Sequence, residues 1–415
     1  MPPSRARKYD VIIWGATGFT GSLVAAYFAE HYGGNDEVRW AVGGRDKAKL
    51  SAVLSEIGAP ETPMVIADAA DPAAMSTLAG QTKVVLTTVG PYQKYGSQLV
   101  AACAAVGTDY VDLCGEPPWM RRMIDAHHEE ALASGARIVH SCGFDSIPFD
   151  LGVYFLQSHM VKEFGAPARD VKGVMLDARG GFSGGTAASL IATVEAAGKD
   201  REVRRTMGDW YALAPSDTAQ RPKPPDMRRP RYDRDAKSWL APFIMADINA
   251  RNVHRTNLLT DFHYGEDFTY IEMMVVPNAL AAGGVTGAMG GFAGAMALPP
   301  LRALIKSFAL PKPGEGPDKN AREKGYFKAR FIGVGPKGPG GLGGAMGAVR
   351  VDGKRDPGYG ATSRMIAESA VCLAKDITRK QRPGGVLTPA AAMGATLIDR
   401  LERNAGLTFA IDRAP

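Results

Sequence analysis

The chain has 415 residues, of which 45% are hydrophobic and 22% are charged. This balance is typical of a soluble globular protein of two or three domains, and it excludes a fibrous or wholly disordered chain. The net charge of +6 is concentrated between residues 201 and 234 and at the N-terminus. The basic stretch contains a proline-rich run that cannot form a recognition helix, so we expect no nucleic-acid partner.

The four cysteines, Cys103, Cys114, Cys142 and Cys372, are widely separated and form no C-x-x-C pair. With no histidine cluster at metal-ligand spacing, the sequence predicts free thiols, a reducing compartment and no metal site. The basic N-terminus runs directly into a strand at Tyr9, without an apolar stretch that could act as a signal peptide. We therefore expect a cytoplasmic protein.

Short apolar strands alternate with amphipathic helical stretches from residue 9 to about residue 140. This alternation predicts an α/β fold whose first domain, residues 1–150, is a Rossmann dinucleotide-binding domain with a parallel sheet. We predict its strands at residues 10–14, 38–42, 63–67, 84–88, 110–113 and 137–141. We predict helices between them at residues 18–32, 47–57, 95–106 and 119–134.

The regular alternation stops after residue 150, and longer strand-like runs follow. They predict a second α+β domain, residues 151–360, built on a mostly antiparallel sheet. We predict strands at 171–178, 267–276, 326–334 and 348–352, a helix at 186–197, and surface loops at 214–230 and 311–320. Residues 361–415 are expected to form helices that close the two domains.

A glycine-rich segment, residues 279–298, lies inside a run, 273–301, without Asp, Glu, Lys, Arg or His. Its length permits a membrane span, but Gly and Ala make the free energy of insertion marginal. We expect either a buried glycine-rich helix or a surface that accepts acyl chains or rests on a membrane. Peripheral contact with the inner membrane therefore stays open beside a cytoplasmic location.

The strongest functional signal is a glycine-rich turn between the first strand and the first helix. Gly15 permits a tight turn, Gly18 lets the backbone approach a pyrophosphate, and Gly21 lets the helix and the strand pack closely. Phosphates then bind the free N–H groups at the start of the helix. The predicted phosphate-binding residues are Gly15, Thr17, Gly18, Phe19, Thr20 and Gly21.

The second strand is followed by Arg45 rather than by a carboxylate. A carboxylate would accept the ribose hydroxyls of NAD(H), whereas an arginine supplies donors for the 2′-phosphate of NADP(H), so NADP(H) is favoured over NAD(H). The alternative is that Arg45 is merely exposed beside a helix capped by Asp46. The remaining predicted cofactor contacts follow strands three and four and are Asp68, Val89, Gly90 and Pro91.

Six sequence blocks occur together in this chain: Gly15-Ala-Thr-Gly-Phe-Thr-Gly21, Thr87-Thr-Val-Gly-Pro-Tyr92, Tyr110-Val-Asp-Leu-Cys-Gly-Glu116, Cys142-Gly-Phe-Asp-Ser-Ile-Pro148, Gly184-Gly-Thr-Ala-Ala-Ser189 and Asp356-Pro-Gly-Tyr-Gly-Ala-Thr362. Together they resemble the saccharopine dehydrogenase-like oxidoreductases, and within them the trans-acting enoyl reductase branch. The resemblance implies an NADPH-dependent oxidoreductase that reduces a carbon–carbon double bond in a lipid-like or carrier-bound, polyketide-derived acyl substrate. It implies a polyketide synthase or acyl carrier as partner; a homodimer is left open.

Tyr92, Glu116 and Asp145 are the predicted catalytic residues, because each follows a strand at the predicted cofactor edge. Tyr110 lies in a similar position. Reduction of an enoyl thioester needs a donor that protonates the α-carbon and hydrogen bonds that hold the oxyanion. Both carboxylates also precede helical segments, so helix capping is the alternative role.

Two other functions stay open from the sequence. Residues 181–185 match the G-x-S-x-G elbow of serine hydrolases, with Ser183 as nucleophile and His254 or His263 needed for a triad. Against this function, the first 140 residues form a dinucleotide-binding pattern. The second alternative is a non-catalytic, dinucleotide-regulated protein that associates with lipid or membrane.

Overall fold

The structure is a computed structural model, and it describes residues 7–34, 37–180, 184–214, 221–222, 226–298, 300–302, 305, 316–336 and 344–412. In these ranges the strands form two sheets of seven strands each. The predicted α/β class, with a Rossmann domain and a second α+β domain, is confirmed. The possible nucleophile Ser183 and much of the two predicted proline-rich loops lie outside the described residues.

The first sheet is entirely parallel. Its strands are β1 (Tyr9–Trp14), β2 (Trp40–Gly44), β3 (Met64–Ile66), β4 (Thr82–Thr87), β5 (Asp109–Val111), β6 (Arg137–Val139) and β13 (Gly385–Leu387). They pair in the order β13-β6-β5-β4-β1-β2-β3. The order reverses between β1 and β4, which is where a Rossmann sheet leaves a crevice at the carboxyl ends of its strands.

Helices cover both faces of this sheet, which is why every residue of β1 is buried. They are α1 (Phe19–Tyr32), α2 (Lys47–Glu56), α3 (Pro72–Gly80), α4 (Tyr92–Tyr95), α5 (Ser97–Val106) and α6 (Pro117–Ser134). The connections after β1, β4, β5 and β6 therefore lie at one edge, where the predicted site residues belong.

The second sheet is mixed and mostly antiparallel, as predicted. Its strands are β7 (Asp170–Arg179), β8 (Arg231–Asp233), β9 (Ser238–Pro242), β10 (Thr269–Val276), β11 (Tyr326–Val334), β12 (Met346–Gly353) and β14 (Leu407–Ile411). They pair in the order β14-β12-β11-β7-β10-β9-β8, with only β7 and β10 parallel among these described strands. Its helices are α7 (Ile147–Phe164), α8 (Gly184–Lys199), α9 (Arg201–Gly208), α10 (Ala246–Leu259), α11 (Ala279–Ala297) and α12 (Lys319–Lys324).

The C-terminal segment contributes more than the predicted helices. Besides α13 (Thr362–Val371) and α14 (Pro389–Arg400), it supplies β13 to the first sheet and β14 to the second. A buried carboxylate, Glu368 of α13, accepts hydrogen bonds from Tyr27 and Tyr32 of α1 at 2.7 and 2.6 Å. The segment is thus fastened to both sheets, while the domain bounds themselves stay predictions.

The glycine-rich segment forms helix α11, which is mainly exposed rather than buried. The helix is long and apolar enough to cross a membrane by length and composition, and 11% of its most apolar window is buried. The expectation of a buried helix is therefore wrong, because only one side of α11 packs on the second sheet. The expectation of a surface helix agrees with this exposure.

Candidate functional site

The turn after β1 has the close geometry that its glycines suggest. Gly15 adopts φ +92°, and a Cβ there would lie 2.5 Å from Val89 Cγ2. A Cβ on Gly21 would lie 2.1 Å from the Gly15 carbonyl oxygen, closer than any side chain tolerates. Gly18 is exposed, and the nearest atom to its Cβ position is 3.4 Å away. Of these three glycines, only Gly18 has open space beside it among the described residues, and a ligand can approach the backbone there.

The start of α1 lacks the side-chain cap that the neighbouring helices have. Asp46 caps α2 and Asp71 caps α3, each accepting a backbone N–H at the start of its helix. Gly18 precedes α1 and supplies no such acceptor. The first N–H groups of α1, at the positive end of the helix, are thus suited to a phosphate. This arrangement fits the pyrophosphate of a dinucleotide.

The other residues of the glycine turn have different surroundings. Thr17 is exposed and Thr20 partly buried. The Phe19 ring contacts the second part of the chain: it lies 4.8 Å from the Tyr359 ring in an edge-on arrangement, and the Arg322 guanidinium lies 5.4 Å from its centre. Phe19 can therefore offer a ligand its backbone N–H, while its side chain holds the turn against the second domain.

Arg45 is exposed at the carboxyl end of β2 and makes no ion pair or hydrogen bond to the described residues. The next residue, Asp46, accepts a hydrogen bond from the Lys49 N–H at 3.0 Å and caps α2. The capping expected for Asp46 thus leaves the Arg45 guanidinium available. Asp68, after β3, is exposed and accepts from the Ala70 N–H at 2.9 Å.

The loop after β4 packs directly on the glycine turn. The Val89 side chain meets Gly15, and the Val89 N–H donates to the Thr87 hydroxyl at 3.2 Å. Gly90 is exposed, Pro91 is partly buried, and the peptide between them is cis. The three predicted contacts of this loop therefore lie beside the crevice at the β1–β4 reversal.

Tyr92 is buried, and its hydroxyl group is already engaged. It donates to the Thr87 carbonyl at 3.4 Å and accepts from the Leu113 N–H at 3.1 Å. Burial raises the pKa of Tyr92 well above its usual value. These contacts support a structural role that joins two loops, and the catalytic role stays a prediction without support from this geometry.

Glu116 caps a helix, although not the helix that follows it in the chain. Its two carboxylate oxygens accept the Tyr92 and Gln93 N–H groups at 2.8 and 3.0 Å, and so cap α4. The Ser189 hydroxyl of α8 also donates to Glu116 Oε1 at 2.8 Å. Glu116 is 1% exposed. Glu116 therefore has the alternative role considered for it, helix capping, and it also links the first domain to α8.

Asp145 lies in the loop after β6, in surroundings that favour the protonated form of its carboxyl group. Burial, together with the negative charge of Asp112, raises the pKa of the Asp145 carboxyl to about 7. One carboxyl oxygen lies 3.8 Å from the Cβ position of Gly115, in the loop after β5. Among the described residues no group donates a hydrogen bond to this carboxyl. It can therefore exchange a proton near neutral pH.

Asp112 and His140, which were not among the predicted site residues, join the loops after β5 and β6. His140 Nδ1 lies 2.7 Å from Asp112 Oδ2, and the Tyr110 hydroxyl donates to the same oxygen at 3.0 Å. Asp112 Oδ1 accepts from the Cys114 and Ser141 N–H groups at 2.9 and 3.0 Å. The Tyr-x-Asp spacing in a buried strand end was the available signal.

A second buried network holds the residue next to Asp145. The Ser146 hydroxyl donates to Asn249 Oδ1 at 3.0 Å and accepts from Asn252 Nδ2 at 2.6 Å. Asn249 in turn donates to Glu272 Oε1 at 2.7 Å, and burial raises the pKa of Glu272 to about 8. Helix α10 and strand β10 of the second domain thus position the loop that carries Asp145.

The residues proposed for a hydrolase triad do not assemble in the described part of the chain. His254 is buried on α10 with its ring 4.3 Å from the Tyr211 ring, and burial lowers its pKa to about 3. His263 is exposed on a loop. Neither histidine contacts a carboxylate among the described residues, and Ser183 lies outside them. The structure thus gives the hydrolase function no support.

Comparison with known proteins identifies the family. A family model described as the saccharopine dehydrogenase NADP binding domain matches residues 11–139. A protein of Mycobacterium ulcerans named trans-acting enoyl reductase is 37% identical and covers 96% of each chain. A Mycobacterium tuberculosis protein, given the same name provisionally, is 42% identical over 95% of this chain and 96% of its own length.

One solved structure shares the fold across the whole chain. Apo saccharopine dehydrogenase from Saccharomyces cerevisiae superimposes with a TM-score of 0.57 at 12% identity, over 97% of this chain and 100% of its own. At this identity the likeness concerns the fold alone. The chain belongs to the trans-acting enoyl reductase branch of the saccharopine dehydrogenase-like family, and it is an oxidoreductase that uses a nicotinamide dinucleotide.

Proposed function

We propose that the protein is an NADPH-dependent enoyl reductase whose substrate is an α,β-unsaturated acyl group held by a separate polyketide synthase or acyl carrier. The relatives' name, trans-acting enoyl reductase, supports both the reaction and the separate carrier. The observation that carries the proposal is the position of the Asp145 carboxyl in the loop after β6, at the cofactor edge of the sheet, where burial raises its pKa to about 7.

The choice of NADPH rests on Arg45 and on the description of the matching domain family. The N–H groups at the start of α1 and the open space at Gly18 would hold the pyrophosphate. The exposed Arg45 guanidinium would bind the 2′-phosphate. When bound, the dinucleotide supplies a hydride to the β-carbon of the substrate.

Asp145 completes the reduction by protonating the α-carbon. A carboxyl with a pKa of about 7 is protonated in a substantial fraction of molecules at neutral pH. Its O–H bond breaks as the new C–H bond forms, and the electron pair of the substrate enolate becomes that bond. The resulting carboxylate recovers a proton from solvent. Ser146 and Asp112 hold the loop so that the acid keeps its position.

The test is the oxidation of NADPH with enoyl thioesters on coenzyme A and on an acyl carrier, with product mass measured in parallel. We expect Asp145→Asn to lower kcat by about 100-fold, the lower range for loss of a general acid, with the NADPH Kd unchanged. Asp261→Asn, at an exposed loop position, serves as the matched control. If intact protein binds NADPH yet saturates no double bond in this set, the proposed reaction is wrong.

A further inference from the structure

Helix α11 has an outer face that carries no charge and is exposed among the described residues. Leu280 is 86% exposed at one end, and Leu298 is 54% exposed just past the other. Within the part of the chain that the structure describes, no neighbouring atom lies within 4 Å of the Cβ positions of its six glycines, Gly283, Gly284, Gly287, Gly290, Gly291 and Gly294. Exposed helix faces in water usually carry charged side chains, and glycine weakens a helix. This face is poorly suited to bulk water.

The inner face of α11 packs on the second sheet. Ala281, Ala282 and Val285 pack on Trp239, Ala241, Met274 and Val276 of strands β9 and β10. The Asn278 side chain caps the helix by accepting the Ala281 N–H at 2.9 Å. Near the other end of the helix, Met296 is 1% exposed, so α11 contacts the domain close to both of its ends and lies against it. It can rest in a bilayer surface, whereas a span would break its packing.

The hairpin of β8 and β9, beside α11, carries aromatic and cationic side chains. Tyr232 is 53% exposed, and its ring centre lies 5.9 Å from that of Trp239, which packs beside α11. Exposed cations follow along the same hairpin and its approach: Arg228, Arg229, Arg234 and Lys237. Lys172 bridges Asp233 and Asp235 at 2.7 and 2.6 Å, and Arg229 pairs with Asp226 at 3.3 Å. Lys172 and the arginines and lysine from residue 228 to residue 237 together outnumber these three carboxylates. The hairpin therefore presents net positive charge.

We propose that the outer face of α11 and the β8–β9 hairpin dock the protein on an anionic lipid bilayer, with α11 lying in the headgroup region. Aromatic rings and cations beside an uncharged helix are the arrangement that membrane surfaces favour. Glycine contributes little apolar area, so the helix alone binds weakly and the hairpin cations are required. Charge complementarity thus selects an anionic bilayer over a second copy of this cationic chain.

The docking surface lies one helix away from the candidate site. Helix α8 packs on α11, and its Ser189 hydroxyl donates to Glu116. An acyl substrate that resides at a lipid surface would thus be presented on the side of the protein that faces the site. Docking itself does not depend on the proposed reaction, and the two are tested by different measurements.

The test is co-flotation of the full chain with vesicles of phosphatidylcholine, with and without phosphatidylglycerol. We expect recovery with the anionic vesicles only, and a loss of recovery at high salt. Arg234→Ala combined with Lys237→Ala should weaken binding by about 25-fold, since each cation near an anionic surface contributes roughly 5-fold. Leu280→Glu combined with Ala288→Glu should abolish it.

Matched controls separate docking from folding. Leu132→Glu on α6, where the native leucine is 40% exposed, should leave recovery unchanged, as should Lys162→Ala with Lys380→Ala. All variants should bind NADPH as the native chain does. If the α11 variant unfolds, the hairpin variant still tests whether the protein docks on anionic vesicles. Equal recovery on neutral vesicles, no recovery on either kind, or a solution dimer broken by the α11 changes without vesicle binding would each overturn the proposal.

Discussion

Alanine at Gly18 or at Gly21 should separate cofactor binding from folding, because the two positions lie in one turn but have different neighbours. A Cβ on Gly21 would lie 2.1 Å from the Gly15 oxygen and 2.9 Å from Thr88 Oγ1. The backbone must then shift by about 1 Å, and overpacking of this kind costs about 1–3 kcal/mol. A Cβ on Gly18 meets its nearest atom at 3.4 Å, an ordinary contact.

We therefore expect Gly21→Ala to lower the free energy of unfolding by about 3 kcal/mol, the upper part of that range, since the opposing atoms belong to the backbone. Gly18→Ala should cost under about 1 kcal/mol, the usual effect of a weaker N-cap. Its methyl group would instead occupy the approach of the pyrophosphate and weaken NADPH binding at least 10-fold, or about 1.4 kcal/mol.

The assays are denaturant unfolding without cofactor and fluorescence titration with NADPH, on both variants and the native chain. Unfolding of Gly21→Ala at the native denaturant concentration would contradict the close approach of Gly21 to the Gly15 oxygen. Binding of NADPH by Gly18→Ala as tightly as by the native chain would mean that the pyrophosphate lies elsewhere.

Three further predictions follow from the same geometry. Arg45→Glu should weaken NADPH binding at least about 10-fold and favour NADH, because a carboxylate repels the 2′-phosphate and accepts hydrogen bonds from the ribose hydroxyls. An unchanged ratio of the NADPH and NADH Kd values would contradict the role of Arg45. Activity should fall as pH rises through about 7, where Asp145 loses its proton. Asp112→Asn should move this fall to lower pH by about one unit, because the substitution removes a negative charge that raises the Asp145 pKa. An unchanged pH profile in this variant would contradict the prediction. Glu368→Ala should lower the free energy of unfolding by about 3 kcal/mol, the lower end of the range for breaking a buried ion pair, because Arg400 loses the carboxylate that lies 2.6 Å away but keeps Asp376 at 2.7 Å. Glu368→Gln should lower it less, and equal losses in denaturant unfolding would count against the ion pair.

The first domain could be predicted from the sequence because its signals are local. Apolar strands of the parallel sheet alternate with amphipathic helices, and the predicted strands lie within about two residues of those observed. The glycine spacing likewise identified the turn, since the atoms that leave no room for a side chain at Gly15 and Gly21 belong to the same turn or to the loop after the adjoining strand. The short strands β13 and β14 were missed, because their pairing depends on partners far along the chain.

At the candidate site, the sequence predicted where the residues lie but not what surrounds their side chains. Sequence position brought Tyr92, Glu116 and Asp145 to one edge of the sheet, because the carboxyl ends of parallel strands meet there. Only the tertiary structure showed that Tyr92 and Glu116 are occupied by hydrogen bonds, while the Asp145 side chain forms none with the residues that the structure describes. The environment of a side chain is set by residues distant in sequence, which a pattern of neighbours does not contain.

The sequence by itself determined the Rossmann turn, the parallel sheet implied by the alternation of strands and helices, and the uncharged glycine-rich segment. These features follow from backbone sterics and hydrophobic periodicity, which act over short stretches of chain. The tertiary structure decided that α11 is exposed, that Glu116 caps α4, and that Asp112 lies where it raises the pKa of Asp145. Burial and electrostatic interaction depend on distances in space, and folding alone sets those distances.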